Sequence, residues 1–177
     1  MKFAHLLSMA AAVGLLHGAA ARAGEVKIEK VHICCGQCVN IAQNTLKSVE
    51  GVTAGKAEKS GVITFMAADD KAAAAGIDAL AKAGFRGDAK HGDAALQFPG
   101  SNAEKGAKAD AISIVGVHLC CPACYTAAEK ALKSVGGVSA VNSDKKTKTL
   151  EVTGMGVDVN AAIDALFNAG FQASVKK

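Results

Sequence analysis

The sequence predicts an α+β protein of two tandem βαββαβ domains, each an antiparallel sheet with two helices on one face. Three observations carry this expectation. Shifted by 86 positions, residues 25–88 match 111–174 without a gap, through the shared blocks VH-CC--C, LKSV-GV and IDAL--AGF. A repeat of this length fixes the domain count before any local reading. After each cysteine cluster, apolar residues recur at helical spacing. Between the helical patterns lie short runs of alternating polarity, bounded by Gly and turn residues.

The elements follow in order. Val26 and Ile28, or Ile112 and Ile114, mark a first strand. The cysteine loop comes next. Cys38, Ala42, Leu46 and Val49 then form a helical stripe, as do Cys124, Ala128, Leu132 and Val135. Gly51 and Gly137 end these helices, the position where a left-handed residue is favoured. Two short strands follow at about 52–58 and 61–67, then 138–144 and 148–153, turning at KSG and KKT. A second helix carries Ile77 and Leu80, or Ile163 and Leu166, and closes at Gly84 or Gly170. A last strand completes the unit. This order is the split βαβ of ferredoxin-like folds. The third strand aligns worst. Ile63 and Phe65 fall opposite Thr149 and Glu151, while Leu150 and Val152 carry the apolar alternation. A one-residue slip, compensated nearby, is expected there, because it would turn side chains to the other face.

The N-terminus reads as a secretory signal over residues 1–23. Lys2 gives the positive region, Leu6 to Leu16 a short apolar core, and Ala21-Arg22-Ala23 a small-x-small site cleaved after Ala23. The apolar run is too short to span a bilayer. An exported, secreted or periplasmic protein is therefore expected. The first domain covers 24–97 and the second 111–177. Residues 98–110, FPGSNAEKGAKAD, read as a flexible linker that would let the two act independently. The formal charge of +4 comes with no basic cluster, no Trp and one Tyr, which is no nucleic-acid footprint. The sequence has no nucleophile–base pair and no Gly-rich phosphate loop, so an enzyme is not expected.

The cysteines carry the chemistry. All six lie in VHICCGQC (31–38) and VHLCCPAC (117–124). A structural disulfide framework would spread them along the chain to staple distant loops. Cys35 and Cys38, like Cys121 and Cys124, stand at i and i+3 where a loop enters a helix, so one turn brings the sulfurs to one side. The helix N-terminus favours the thiolate, which is the form that binds soft metals. Cys34 and Cys120 add a third sulfur to each loop. His32 and His118, two residues earlier, point the same way in an extended segment. They are weaker candidates as ligands or stand beside the ligands. Three sulfurs suit trigonal Cu(I), and with a histidine nitrogen they suit tetrahedral Zn(II) or Cd(II). Among the remaining residues, His91 reads as solvated, and Lys47 and Lys133 as solubilising.

On these motifs the chain resembles the heavy-metal-associated domain family, the small βαββαβ domains of copper chaperones, periplasmic mercury-binding proteins and metal-pumping ATPases. The family pattern is G-M-x-C-x-x-C. Cys35 and Cys38, and Cys121 and Cys124, fall on its ligand cysteines. Phe85 and Phe171 fall on the position that closes over the metal loop. The chain departs where the family glycine is His32 or His118, the methionine Ile33 or Leu119, and the variable residue Cys34 or Cys120. HICCGQC is also similar to the G-I-C-C-x-x-E loop of plant zinc-pumping ATPases, with Cys in place of Glu. The expectation is an exported soft-metal binder holding about one Cu(I) or Zn(II) ion per domain. It would sequester the ion or pass it to a metal-transporting or metal-accepting protein. The alternative is a thiol–disulfide protein working through its C-x-x-C pairs.

Overall fold

The computed structural model describes residues 22–176. The segment read as a signal peptide lies outside these residues up to position 21. Each repeat folds as expected. In the first, β1 (Gly24–Glu29), α1 (Gly36–Lys47), β2 (Val52–Glu58), β3 (Val62–Ala67), α2 (Asp70–Lys82) and β4 (Asp88–His91) are followed by a further strand, β5 (Ala94–Leu96). The second has β6 (Lys108–Val115), α3 (Pro122–Lys133), β7 (Val138–Asp144), β8 (Thr149–Asp158), α4 (Val159–Asn168) and a short β9 (Ser174–Val175). The sheets run β2-β3-β1-β4-β5 and β7-β8-β6-β9, every pair antiparallel. These are two ferredoxin-like α+β domains.

The helix stripes are the buried faces. Cys38, Ala42 and Leu46 of α1, and Cys124, Ala128 and Leu132 of α3, are inaccessible to solvent. They pack over Ile28, Ile63 and Phe65 in one sheet, and over Ile114, Leu150 and Val152 in the other. The thiols of Cys38 and Cys124 are therefore core groups. Burying such a stripe is what holds short helices in place, since few are stable alone.

The third strand shows the expected slip. Ile28 pairs with Ile63 in β3, whereas Ile114 pairs with Leu150, one position later in its repeat. The turn before β3 has three residues (59–61) and the turn before β8 has four (145–148). The extra residue puts Leu150 and Val152 on the inward face. β8 then runs on to Asp158, and α4 starts later in its repeat than α2 does.

Two expectations from sequence are corrected. His91 is not solvated: it is 1% exposed on β4, and its Nδ1 lies 2.9 Å from Asp70 Oδ1 at the start of α2. The β4–β5 hairpin that carries it has no equivalent among the described residues of the second repeat. Nor is the segment between the repeats loose. Phe98 is 8% exposed, and Pro99 O accepts from Arg86 Nη1 (2.9 Å) and Gln172 Nε2 (3.0 Å). Glu104 O accepts from Asn160 Nδ2, and Ala107 O from the Val159 N–H. Its small and polar composition masked one large apolar residue, and burying that residue fastens the segment.

The repeats face one another around an approximate two-fold. Phe85 and Phe171 form an antiparallel bridge. The Gln172 N–H donates to Gly84 O (3.0 Å), and the His32 N–H to Gly170 O (3.1 Å). Gly84 and Gly170, at φ +86 and +84, end their helices and also touch the other repeat's backbone. A Cβ on Gly84 would strike His118 N, and one on Gly170 would strike His32 N.

Candidate metal centre

The docking brings the two cysteine loops into contact. Each loop turns into its helix through an extended cysteine, Cys35 before α1 and Cys121 before α3. At α2 and α4 this N-cap place holds Asp69 and Asp158, whose carboxylates accept from the Ala72 and Ala161 N–H groups. Cys35 and Cys121 make no such side-chain cap. The free N–H groups and the positive end of the helix are left for sulfur instead.

All six cysteines are free thiols. Within the loops, Cys34–Cys38 and Cys35–Cys38 are 3.6 and 3.5 Å apart, and Cys120–Cys124 and Cys121–Cys124 are both 3.7 Å apart. The closest approaches are between the loops: Cys34–Cys121 at 3.2 Å, Cys38–Cys120 at 3.2 Å and Cys34–Cys124 at 3.4 Å. Cys38 and Cys124, at 3.9 Å, form the buried centre. The sequence suggested two independent sites; the sulfurs form one cluster, because the AGF segments fasten each loop against the other repeat.

The thiols are electrostatically unequal. Cys35 is held down at about 6, first by the Cys38 backbone N–H, then by the Cys38 thiol, with the Gln37 N–H adding. The Cys124 backbone N–H likewise lowers Cys121. Burial is the main cause that raises Cys34, Cys120 and Cys124, and neighbouring thiols push Cys34 and Cys120 further. Each loop thus has one acidified thiol at its partly exposed end. Cys34, Cys120 and Cys124 keep their protons until a cation repays the charge.

The histidines sit beside this cluster and cross over between repeats. His32 stacks on Phe171 (4.3 Å between centroids), and His118 on Phe85 (4.1 Å). His118 Nδ1 lies 3.1 Å from Ala83 O, a carbonyl that can only accept, so Nδ1 carries the proton. Its Nε2 and that of His32 are buried without a hydrogen-bond partner among the described residues. Burial lowers the pKa of both imidazoles, which favours the neutral form that ligates metals. Potential ligand atoms of Cys38, His118, Cys120 and Cys124 lie within 4.8 Å of one another, as do those of His32, Cys34 and Cys124.

Sequence reasoning found the cysteines and histidines but missed what joins them. Arg86 and Gln172 occupy equivalent places in the two repeats. Arg86 Nη1 donates to Gln172 Oε1 at 2.7 Å, and its guanidinium lies 3.5 Å from the Phe167 ring centroid. The repeated AGF was the available signal, but its glycine is already explained as a helix end.

No protein-family model matches the sequence, and no curated protein does. Among solved structures, oxidized MerP from Ralstonia metallidurans CH34 is similar at 29% identity and TM-score 0.36; the match covers 40% of this chain and all of that one. The N-terminal soluble domains of Bacillus subtilis CopA match at 18% identity and TM-score 0.34, over 88% of this chain and 95% of that one. Among the described residues no helix is long and apolar enough to cross a membrane. In its twice-repeated element order, its sheet order and its cysteine loop at the head of each first helix, the chain resembles the heavy-metal-associated domain family.

Proposed function

We propose that this is an exported soft-metal-ion binding protein. Its signal segment is 1–23, its domains are 24–97 and 111–177, and 98–110 joins them. The CCxxC loops take Cu(I), Zn(II) or Cd(II), about one ion per loop, and the cargo is sequestered or handed to a metal-transporting or metal-accepting protein. One observation carries the reading: six free thiols and two neutral imidazoles gather at the N-termini of α1 and α3. Sulfur-rich sites select soft ions.

The thiols differ in a way that suits capture and release. Cys35 and Cys121 are partly exposed and are the thiols that backbone N–H groups make more acidic, so an arriving ion meets them first. Cys38 and Cys124, without solvent exposure, would complete its coordination from inside. Release reverses the order, with an acceptor's sulfurs replacing the outer two before the inner ones. Stoichiometry on protein purified without oxygen tests this. About two soft ions per chain, with protons released as thiols deprotonate, is the expected result. Failure of reduced protein to bind Cu(I), Zn(II) or Cd(II) overturns it.

The short Cys35–Cys38 separation and the acidic Cys35 thiol also fit thiol–disulfide exchange. That reading requires the reduced protein to cycle with a disulfide substrate. Metal-free protein that reduces a protein disulfide catalytically, yet holds no ion, would favour it.

A further inference from the structure

We propose that the six thiols form one binuclear M2S6 centre, in which the buried Cys38 and Cys124 bridge two ions and each ion is bound by sulfurs from both repeats. This rests on the reading that these thiols carry a soft metal. It replaces separate loop sites by a shared one.

Ligand number is the first argument. Two tetrahedral ions in separate all-sulfur sites need eight sulfurs, and six are present. Sharing two sulfurs supplies both ions fully. The arrangement singles out which two. Cys38 lies within 3.9 Å of Cys34, Cys35, Cys120 and Cys124. Cys124 lies within 3.9 Å of Cys34, Cys38, Cys120 and Cys121. Each central sulfur therefore touches both loops, and the Cys38–Cys124 pair lies on the approximate two-fold. One ion falls to Cys34 and Cys121 with that pair, the other to Cys120 and Cys35 with the same pair. The approximate two-fold exchanges these sets.

Spacing agrees. An ion about 2.3 Å from each sulfur sets tetrahedral sulfurs about 3.8 Å apart. Five of the six sulfur pairs in the first set lie between 3.2 Å (Cys34–Cys121) and 3.9 Å (Cys38–Cys124), and four of the six in the second lie between 3.2 Å (Cys38–Cys120) and the same 3.9 Å. Cys35, Cys120 and Cys121 also have their sulfurs within 4.8 Å of one another. The per-loop alternative pairs Cys34 with its own Cys38 at 3.6 Å, yet Cys121 and Cys124 of the other loop are nearer. Two divalent ions against six thiolates leave a charge of −2, and the positive ends of α1 and α3 both face it. Binding is ligand exchange without change of oxidation state. Each metal–sulfur bond displaces water from the ion, and each thiol still protonated gives up its proton to solvent.

The test uses the reduced protein and cadmium-113 alone, without oxygen. Two Cd(II) per chain should bind in one cooperative step. Their NMR resonances should be coupled to each other through the bridging sulfurs. Two double variants then separate the arrangements without touching the buried pair. Cys34→Ser with Cys121→Ser should abolish one ion and leave the other with four sulfurs, retaining its CdS4 charge-transfer band. Cys34→Ser with Cys35→Ser should damage both ions. Separate loop sites predict the reverse, with the first double variant damaging both ions and the second leaving one intact. That reversed pattern with uncoupled resonances, or a single Cd(II) per chain, overturns the shared centre while the metal-binding reading stands. No cadmium binding at all overturns both.

Discussion

Gly170→Ala tests the docking that assembles the cluster. Gly170 sits at φ +84, where an L side chain is strained. Adopting that conformation costs alanine about 1–2 kcal/mol. The new Cβ would also strike His32 N, and would lie 2.5 Å from Lys30 O and 2.9 Å from the Val31 carbonyl carbon, all backbone atoms that cannot rotate away. Overpacking of that kind costs about 1–3 kcal/mol more, so the expected loss is about 2–5 kcal/mol in all. Gly116→Ala is the matched control. It has φ +77, and an added methyl there would meet no atom within 4 Å, so only the conformational cost applies. Urea unfolding of the reduced, metal-free protein compares the two variants. Amide exchange at His32, whose N–H bonds Gly170 O, reports whether the repeats have parted locally. Equal losses in both variants, with His32 protection unchanged, would refute the face-to-face arrangement.

Arg86→Ala should weaken the same interface by about 2 kcal/mol, since it removes a charge-assisted hydrogen bond to Gln172 and a cation–π contact with Phe167. Arg86→Lys should restore only part of this in the same unfolding assay, because an ammonium cannot reproduce the planar fork; full rescue would contradict the assigned geometry. With Cys35 at about 6, iodoacetamide should label Cys35 fastest together with Cys121 at pH 7, where Cys35 has about ten thiolates per thiol. The rate at Cys35 should fall as pH drops through 6, and peptide mass mapping that finds Cys34 or Cys120 labelled first would refute the ordering. Mild oxidation of metal-free protein should produce disulfides between the repeats, because the shortest sulfur separations are Cys34–Cys121 and Cys38–Cys120. Disulfides confined to Cys35–Cys38 and Cys121–Cys124 would argue that the loops stand apart.

What is local and periodic in this protein was legible in its sequence. The 86-residue repeat set two units, and the stripes through Leu46 and Leu132 set the helices and their buried faces. The spacing of Cys35 and Cys38 placed two sulfurs on one side of a helix head, because a helical turn has fixed geometry. Even the slip in the third strand was visible, since Leu150 and Val152 alternate where Thr149 and Glu151 do not. Features that depend on surfaces meeting emerged only in the folded chain. His91 is polar and has no counterpart in the second repeat, so nothing local announced that it would be buried beside Asp70 at the start of α2. Phe98 was hidden among small and charged residues until the interface gave it somewhere to pack. Gly84 and Gly170 needed no second explanation as helix ends, yet their missing side chains let each repeat's backbone reach the other's cysteine loop. Six sulfurs in contact arise from that approach. Spacing along a chain fixes neighbours within a turn, and only the packing of one repeat on the other brings Cys34 to Cys121.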